Sequence, residues 1–314
     1  MITALAPSPS LDVTYAVDGF RIGELHRPTA VHRVSGGKGL NCARAALRLG
    51  ADVTAVALLG GDGGRWIEAD VARLGLPLVV VPVAAPTRTC VSVADPDRET
   101  MTEIYEPAGP VTAAEWERFA DAVGAAVAGR PGWVTLSGSL PPGTPDGAVA
   151  HLVGAVHAAG RSFAVDVHGA ALREALAAGV DVVKVNAAEA AEALDVGPTI
   201  DTRTDTSALA RALAGRTRVG AVVTAGVDGA VAVLPDGASR WARSARRGPF
   251  PVGSGDCFLA GLVSGLDRGL PLLDCLPVAT AVATANALSP APACFADGDL
   301  RAALADLEIS PSAR

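Results

Sequence analysis

Aromatic residues are scarce in this chain of 314 residues. Phe, Trp and Tyr make up 4% of it, whereas 50% of the residues are hydrophobic. The core must therefore be built from small aliphatic side chains, as in layered α/β folds, and a chain of this length buries a large one. Length alone permits one large α/β domain or two smaller ones. Because the sequence has no internal repeat, low-complexity tract or clear linker, we expect a single domain over residues 1–314.

Long basic runs and long apolar runs are also missing. The formal net charge is −7, and no basic stretch of the kind that binds nucleic acid occurs, so we expect no nucleic-acid partner. No stretch approaches the roughly 20 apolar residues of a membrane span. Residues 2–7 are apolar but short and lack a basic lead, so we expect neither a signal peptide nor a membrane partner.

The five cysteines and five histidines lack the spacing of metal sites. Neither a Cys-x-x-Cys pair nor a His-Glu-x-x-His motif occurs, so we expect no zinc site. An odd number of scattered cysteines is typical of reduced thiols in a cytosol, which predicts a cytoplasmic protein.

Four segments in the first third of the chain alternate apolar and polar residues. They lie near 12–18, 29–35, 88–94 and 100–106. A period of two predicts half-buried antiparallel strands. Between them lie apolar segments that predict buried strands at 51–59 and 78–83, with a helix at 64–74. We therefore expect the four alternating segments to form a small separate sheet, inserted between units of the main fold.

From about residue 112 onward, apolar strands alternate with helices. The strands are predicted at 133–136, 162–166, 181–185 and 221–224, and the helices at 112–128, 145–159, 170–177, 187–194 and near 207–215. This order predicts a parallel sheet with crossover helices on its faces. A hairpin over 230–242 and two helices, 256–268 and 273–288, are predicted to close the fold.

A glycine cluster, Gly36-Gly37-Lys38-Gly39-Leu40-Asn41, opens a predicted helix whose apolar face contains residues 42, 45, 46 and 49. Glycines let a ligand approach the backbone, and the amides at a helix start attract anions. A purely structural turn is the alternative. A Walker A loop is excluded because His32 replaces its first glycine and Gly39 follows Lys38. The spacing of the dinucleotide fingerprint is absent as well.

A second glycine-rich helix start reads Gly253-Ser254-Gly255-Asp256 and precedes an apolar stripe over 258–266. The backbone amides of 253–256 are placed to form a nest for a phosphoryl group. A carboxylate at this position is either a helix N-cap or a general base that deprotonates a hydroxyl. The residues by themselves leave both roles of Asp256 open.

Polar or glycine-rich loops follow three of the predicted parallel strands. They are Ser137–Gly143, Lys184–Glu189 and Thr224–Gly229. In open parallel sheets, ligands bind beyond the carboxyl ends of the strands. Ordinary turns use the same residue types, but three such loops at one edge predict a binding site there.

Together these motifs resemble the ribokinase-like (PfkB-type) family of carbohydrate kinases over nearly the whole chain. Gly36–Asn41 is similar to the first signature of that family and Gly253–Asp256 to the second. The resemblance implies an α/β fold, a three-layer sandwich with a mostly parallel central sheet. It also implies a small β-sheet lid, made here by the four alternating segments. ATP and Mg²⁺ are the implied cofactors, and in many members two lids pair to form a homodimer.

The resemblance also implies roles for individual residues. Asp256 matches the catalytic base, and the amides of Gly253, Ser254 and Gly255 match the anion hole for the transferred phosphoryl group. The positions that match nucleotide-binding residues are Lys184, Thr224, Gly226 and Gly229. The positions that match an Asn-x-x-Glu motif, which helps to place Mg²⁺ through water, are Asn186 and Glu189. The positions that match sugar-binding residues are Asp12, Gly37, Asn41 and Ser139.

Within the family, the closer resemblance is to the phosphosugar branch, which includes 1-phosphofructokinases and tagatose-6-phosphate kinases. It is carried by Thr87–Cys90, Thr102–Ile104 and Ser137–Gly143. Arg88 and Arg27 match positions that meet the substrate phosphate, and Lys38 is a third candidate; a solvated surface role is the alternative for each. They form the local basic group that an acidic protein needs to bind an anion.

The reaction implied is ATP plus fructose 1-phosphate to ADP plus fructose 1,6-bisphosphate. Fructose 6-phosphate and tagatose 6-phosphate are alternative acceptors. Further alternatives are an unphosphorylated sugar or nucleoside as substrate, and a non-catalytic sugar-phosphate sensor built on the same fold.

Overall fold

The computed structural model describes residues 1–197 and 203–310. In these residues the strands are β1 (Ile2–Ala6), β2 (Ser10–Ala16), β3 (Ala30–Gly36), β4 (Val53–Leu59), β5 (Leu78–Pro82), β6 (Arg88–Asp95), β7 (Thr100–Tyr105), β8 (Trp133–Ser137), β9 (Ser162–Asp166), β10 (Val182–Asn186), β11 (Gly220–Thr224), β12 (Ala230–Val233), β13 (Ser239–Ser244) and β14 (Leu307–Ile309). The helices are α1 (Lys38–Arg48), α2 (Gly61–Arg73), α3 (Ala113–Val127), α4 (Ala148–Ala158), α5 (Gly169–Ala177), α6 (Ala187–Ala193), α7 (Arg203–Ala214), α8 (Ser254–Asp267), α9 (Leu272–Ala287) and α10 (Asp297–Ala305).

Ten of the described strands form a large sheet, in the order β14-β13-β12-β11-β10-β9-β8-β1-β4-β5. The pairs from β11 to β5 are parallel, whereas β12, β13 and β14 continue the sheet in antiparallel pairs. Parallel strands covered by helices on both faces are apolar throughout, as the fully buried Ala221–Val223 illustrates. The predicted α/β fold with a mostly parallel sheet is confirmed.

Two apolar layers cover the faces of the large sheet. The helices α1, α2, α8 and α9 pack on one face, and α3 to α7 pack on the other. Successive side chains of a strand point to opposite faces, so Ala4 belongs to the first layer and Leu5 to the second. This arrangement is the predicted three-layer sandwich. No helix among the described residues is long and apolar enough to cross a bilayer.

The four alternating segments form one separate sheet, in the order β3-β2-β6-β7, as predicted. We call it the small sheet. The prediction of antiparallel pairing holds for β2 with β3 and for β6 with β7, but β2 and β6 are parallel. Both antiparallel pairs are consecutive along the chain. The chain between β2 and β6 instead passes through the large sheet, and such a long crossover permits parallel pairing.

Three elements, β1, α10 and β14, lie outside the predicted pattern. Strand β1 lies in the middle of the large sheet, between β8 and β4, and all five of its residues are buried. Its short sequence, rich in Ala, carries little strand preference, so pairing on both sides determines its conformation. Because α10 and β14 follow α9, the prediction that two helices close the fold is wrong.

Candidate active site

The polar loops of the predicted site lie together at the carboxyl edge of the large sheet. Ser137 and Asp166 pair at the ends of β8 and β9, and Asn186 and Thr224 pair at the ends of β10 and β11. Side chains from the starts of α1 and α8 reach the same edge. The two glycine-rich motifs, far apart along the chain, therefore meet in one place.

Asp256 lies in the first turn of α8 and is 4% exposed. Gly253 is the N-cap residue, with a left-handed φ of 78°, so the N-cap alternative for Asp256 is wrong. The Asp256 carboxylate instead accepts a hydrogen bond from Asn41 Nδ2 at 2.9 Å. Burial raises the pKa of Asp256 to about 7, although Lys38 opposes the rise. A carboxylate with a pKa near neutrality is well suited to accept a proton from a hydroxyl.

Asp166, at the end of β9, holds two lysines beside the Gly253–Asp256 loop. Lys184 Nζ lies 2.5 Å from Asp166 Oδ2, and Lys38 Nζ lies 3.5 Å from Asp166 Oδ1. Burial alone would raise the pKa of Asp166, but the two lysines bring it below its usual value. Asp166 in turn raises the pKa of Lys38 to about 12. Sequence reasoning missed Asp166, whose only signal was a carboxylate at the end of an apolar strand.

Asp12 lies on β2 of the small sheet, against the first glycine motif. Its carboxylate accepts a hydrogen bond from Ser10 Oγ at 2.5 Å and packs so closely on Gly36 that any Cβ there would overlap it. Burial raises the pKa of Asp12, while Arg44 and Arg88 act in the opposite direction. The predicted sugar-binding residues Asp12 and Gly37 are therefore adjacent, because the Gly37 backbone lies close enough to this carboxylate to lower its pKa.

Arg88 begins β6, in register with Ser10 of β2. Its Nη1 donates to Glu106 O at 3.1 Å and its Nη2 to Ser8 O at 3.4 Å. The Nε of Arg88 and the Oγ of Ser8 are buried without a hydrogen-bond partner. Both residues line a small cleft with Pro7, Pro9, Thr87 and Gly109. Buried polar atoms without partners are rare in folded proteins, so this cleft suits a polar or anionic ligand group.

Asn41 and Arg44 connect α1 to Asp256. Arg44 is 6% exposed, and its Nη2 donates to Asn41 Oδ1 at 3.0 Å and to Pro292 O at 2.6 Å. Sequence reasoning placed Asn41 among the sugar-binding residues and missed Arg44. A signal was available, because residues three apart on a helix lie on the same side.

A second cleft, of about 240 Å³, opens between β11 and α8. The three predicted nucleotide-binding residues Thr224, Gly226 and Gly229 line it together with Ser254 and Gly255 of the second glycine motif. The fourth, Lys184, is not among the lining residues and lies buried against Asp166. The cleft also contains Arg246 and Arg247, which sequence reasoning missed.

Asn186 and Glu189 form a capping box at the start of α6. Asn186 Oδ1 accepts from the Glu189 backbone N–H at 2.9 Å, and Glu189 Oε2 accepts from the Asn186 N–H at 2.9 Å. Only one of the Glu189 carboxylate oxygens takes part. The capping box is sufficient to explain the Asn-x-x-Glu spacing, so a role in placing a metal stays a prediction.

Two predicted substrate residues are less closely tied to this site. Ser139 lies in the loop after β8, with its Oγ 3.2 Å from His168 Nε2. Arg27 is exposed in the loop from β2 to β3. That loop is at the opposite end of β2 from Arg88, about 20 Å along the strand, so the described chain does not bring Arg27 and Arg88 together.

Comparison with known proteins gives the class of this fold and site. The profile of the pfkB family carbohydrate kinases matches residues 8–294. The chain is 32% identical over 281 residues to a 1-phosphofructokinase of Rhodobacter capsulatus, covering 89% of this chain and 88% of that protein. It is 30% identical over 290 residues to an ATP-dependent 6-phosphofructokinase isozyme 2 of Mycobacterium tuberculosis, covering 92% and 84%. A crystal structure of Escherichia coli phosphofructokinase-2 in complex with potassium superimposes with a TM-score of 0.87 at 25% identity, covering 97% of this chain and 98% of that one.

The chain therefore belongs to the pfkB family of carbohydrate kinases. The expectation of an ATP-dependent kinase from the phosphosugar branch is confirmed by this match and by the relatives.

Proposed function

We propose that this chain transfers the γ-phosphoryl group of ATP to a hydroxyl of a hexose phosphate, with Asp256 as the base. The observation that carries the proposal is the buried Asp256 carboxylate, whose pKa is about 7 and which accepts a hydrogen bond from Asn41 at the start of a glycine-rich helix. The amides of Gly253, Ser254 and Gly255 open that helix and suit the transferred group. Phosphoryl transfer depends mainly on positioning and electrostatic stabilisation, which such a site provides.

The nature of the acceptor is supported by Arg88 and its cleft. A sugar phosphate carries nearly two negative charges at neutral pH. It is repelled at long range by a chain of net charge −7, so its binding depends on close charge-assisted hydrogen bonds. The buried, unpartnered Nε of Arg88 is a donor of this kind, and Lys38 adds a second positive charge. Fructose 1-phosphate is our first candidate, followed by fructose 6-phosphate and tagatose 6-phosphate.

The nucleotide is proposed to occupy the cleft of Thr224, Gly226 and Gly229. The backbone amides of Gly226 and Val227 and the side chain of Arg247 offer donors for its phosphates, whereas the amides of Asp228 and Gly229 already donate within the turn. Mg²⁺ fits this arrangement as an ion carried by the nucleotide. Mg²⁺ commonly keeps several waters and uses one or two protein carboxylates besides phosphates. Glu189 has one carboxylate oxygen outside the capping box, and, in the part of the chain that the structure describes, no group of three or more acidic, His or Cys side chains could hold the ion alone. When bound, Mg²⁺ neutralises phosphate charge.

The proposal includes a homodimer that pairs two small sheets. Ile22 and Leu25, in the loop from β2 to β3, are 96% and 78% exposed, and Ile104 of β7 is 64% exposed. Large apolar side chains exposed on the small sheet and on its loop favour a covering surface. A second copy would also allow Arg27 to reach the partner's acceptor site.

A cytoplasmic location is part of the proposal, since the described cysteines are all free.

A coupled assay of ADP release tests the function directly. The panel contains fructose 1-phosphate, fructose 6-phosphate and tagatose 6-phosphate, with free fructose, ribose and adenosine as neutral acceptors. We expect one phosphate ester to exceed every neutral acceptor in kcat/KM by at least about tenfold. With that ester, Asp256→Asn should lower kcat by about 10²- to 10⁴-fold while ATP still binds. Binding of a sugar phosphate without any turnover would instead support a sensor.

A further inference from the structure

A chain of hydrogen bonds runs from Asp256 back into the protein. Asn41 Nδ2 donates to Asp256 Oδ2 at 2.9 Å, and Arg44 Nη2 donates to Asn41 Oδ1 at 3.0 Å. All three residues are at most 6% exposed, so bulk water does not compete for these bonds. The base is therefore connected to a buried guanidinium through a single amide.

The orientation of the Asn41 amide is determined by hydrogen bonding rather than by packing. The oxygen and nitrogen of an Asn side chain are nearly equal in size, so close packing alone does not distinguish the two orientations. An Arg guanidinium only donates hydrogen bonds, and an ionised carboxylate only accepts them. With Arg44 on one side of Asn41 and Asp256 on the other, only one orientation satisfies both neighbours. The Asn41 oxygen faces Arg44, and its N–H group faces the base.

Arg44 is itself held by the segment that supports the Gly253–Asp256 loop. The same Nη2 donates to Pro292 O at 2.6 Å, and the neighbouring Ala293 N–H donates to Asn286 Oδ1 at 2.7 Å. Asn286 Nδ2 donates to Val252 O at 2.7 Å and to Ser254 Oγ at 3.1 Å. The contacts thus form a closed ring that links α1 to the start of α8. The Nη2 of Arg44 is thus held between two acceptors, whereas its Nε is buried without a hydrogen-bond partner.

We propose that Arg44 is a positioning residue, which keeps the Asn41 amide turned so that its N–H group points at the catalytic base Asp256. The inference rests on the proposed role of Asp256 as the base. Without Arg44, the amide can rotate and place its oxygen against the carboxylate. An Asn41 oxygen that faces the Asp256 carboxylate disfavours its ionised form, whereas the N–H group that faces it in the structure favours that form.

The expected signature is a rise in the pKa of Asp256. The other charged or titratable groups that face Asp256 are Lys38 and Cys42 from α1, Asp166 from β9 and Lys184 from β10, and Cys257 follows it on α8. Replacing Arg44 by Met changes none of these residues, but it also removes a positive charge that acts on Cys257 beside Asp256. A shift in the titration of Asp256 reports on the Asn41 amide only if it also occurs in Arg44→Lys, which keeps the charge, and is absent in an Asn41→Ala background.

The test compares the wild type with Arg44→Met, Arg44→Lys and the control Arg48→Met. Arg48 lies on the same helix and contacts the exposed Asp297 instead of the site. The first readout is the carboxyl ¹³C titration of Asp256 in protein labelled at aspartate, assigned by comparison with Asp256→Asn. It needs no substrate. The second is kcat between pH 6 and 9, with ATP and the best ester of the sugar panel.

We expect the Asp256 titration in Arg44→Met to move upward by about one pH unit. The loss of kcat should then be about tenfold at pH 6 and should nearly vanish at pH 9, because only the ionised base is active. Both KM values should stay within about threefold of wild type. In an Asn41→Ala background, Arg44→Met should produce no further shift. Arg48→Met should titrate as the wild type does.

An unmoved Asp256 titration, or an equal loss of kcat at every pH, overturns the proposal, since either result indicates a structural role alone. A further shift in the Asn41→Ala background overturns it as well. If Arg44→Met does not fold, Arg44→Lys decides by the same readouts. Lysine retains the charge but not the geometry of the guanidinium, so its shift should be smaller and of the same sign. Full activity of Asp256→Asn would reject the base instead, and the ¹³C titration would still judge Arg44 separately.

Discussion

The ammonium group of Lys184 lies 2.5 Å from Asp166 Oδ2, at the carboxyl ends of neighbouring strands β10 and β9. Both side chains are almost fully buried. A Cβ placed on Gly255 would come within 3.0 Å of the ammonium, so the pair lies directly against the loop proposed to hold the transferred phosphoryl group. Asp166 therefore holds the Lys184 ammonium beside this loop, where its positive charge would attract the transferred phosphoryl group.

Replacing Asp166 by Asn should leave Lys184 without its partner. Removing one member of a buried pair typically costs about 3–5 kcal/mol in the free energy of unfolding, because the remaining charge is uncompensated. Urea denaturation at pH 7 measures this loss, with Asp62→Asn in an exposed ion pair as the control. The double variant Asp166→Asn, Lys184→Met should recover part of the stability. If the double variant is less stable than the single one, the charge argument is wrong.

The raised pKa of Asp256 should make stability depend on pH. Asp256 titrates at about 7 in the folded chain and near 3.9 when unfolded. Between these values the folded state binds a proton that the unfolded state has released, so the contribution of Asp256 to stability falls as pH rises. Asp256→Asn lacks this titration. The free energy of unfolding of Asp256→Asn, taken relative to wild type, should therefore rise by on the order of 2–4 kcal/mol from pH 4.5 to pH 8.

Urea denaturation at pH 4.5, 6 and 8 measures that difference. Asp297→Asn, at an exposed carboxylate outside the site, serves as the control for the substitution itself. A difference for Asp256→Asn that does not change with pH would mean that Asp256 titrates at its ordinary value in the folded chain.

Replacing Arg88 by Ala should weaken binding of the sugar phosphate and leave binding of ATP unchanged. A hydrogen bond to a charged group is worth about 1.5–3 kcal/mol, which corresponds to a loss of about 10- to 150-fold in kcat/KM. Steady-state kinetics with the best sugar phosphate should show this mainly as a higher KM, with the KM for ATP nearly unchanged. Arg33→Ala is the matched control, since Arg33 pairs with Val13 and lies on the face of the small sheet opposite Asp12. Equal effects of the two substitutions would contradict a phosphate contact at Arg88.

Pairing through the small sheets predicts a dimer that charge can disrupt. Ile22→Asp combined with Leu25→Asp would bury two carboxylates in the proposed contact, which is costly without partners. Sedimentation velocity at micromolar concentration should show a dimer for wild type and a monomer for this variant. Leu270→Asp, at an exposed position between α8 and α9, should remain dimeric. A wild type that is monomeric under these conditions would exclude the dimer.

The sequence by itself determined the α/β class, the small sheet and the two glycine motifs. The alternation in 88–94 follows from side chains that point to opposite faces of a strand, and the apolar run in 221–224 from burial on both faces. Such patterns are local, so they are visible without the fold. The turn residues Gly37 and Gly253 are local too, because their left-handed φ angles suit glycine.

Only the tertiary structure decided which side chains meet. Strand β1 was hidden because its pairing partners β4 and β8 are distant in sequence. Asp166 and Arg44 looked like an ordinary strand end and an ordinary helix residue until folding placed them against Lys184 and Asn41. The shift in the pKa of Asp256 arises from burial and from charges on three other elements. Burial and long-range electrostatics are properties of the packed chain, and no spacing within one segment encodes them.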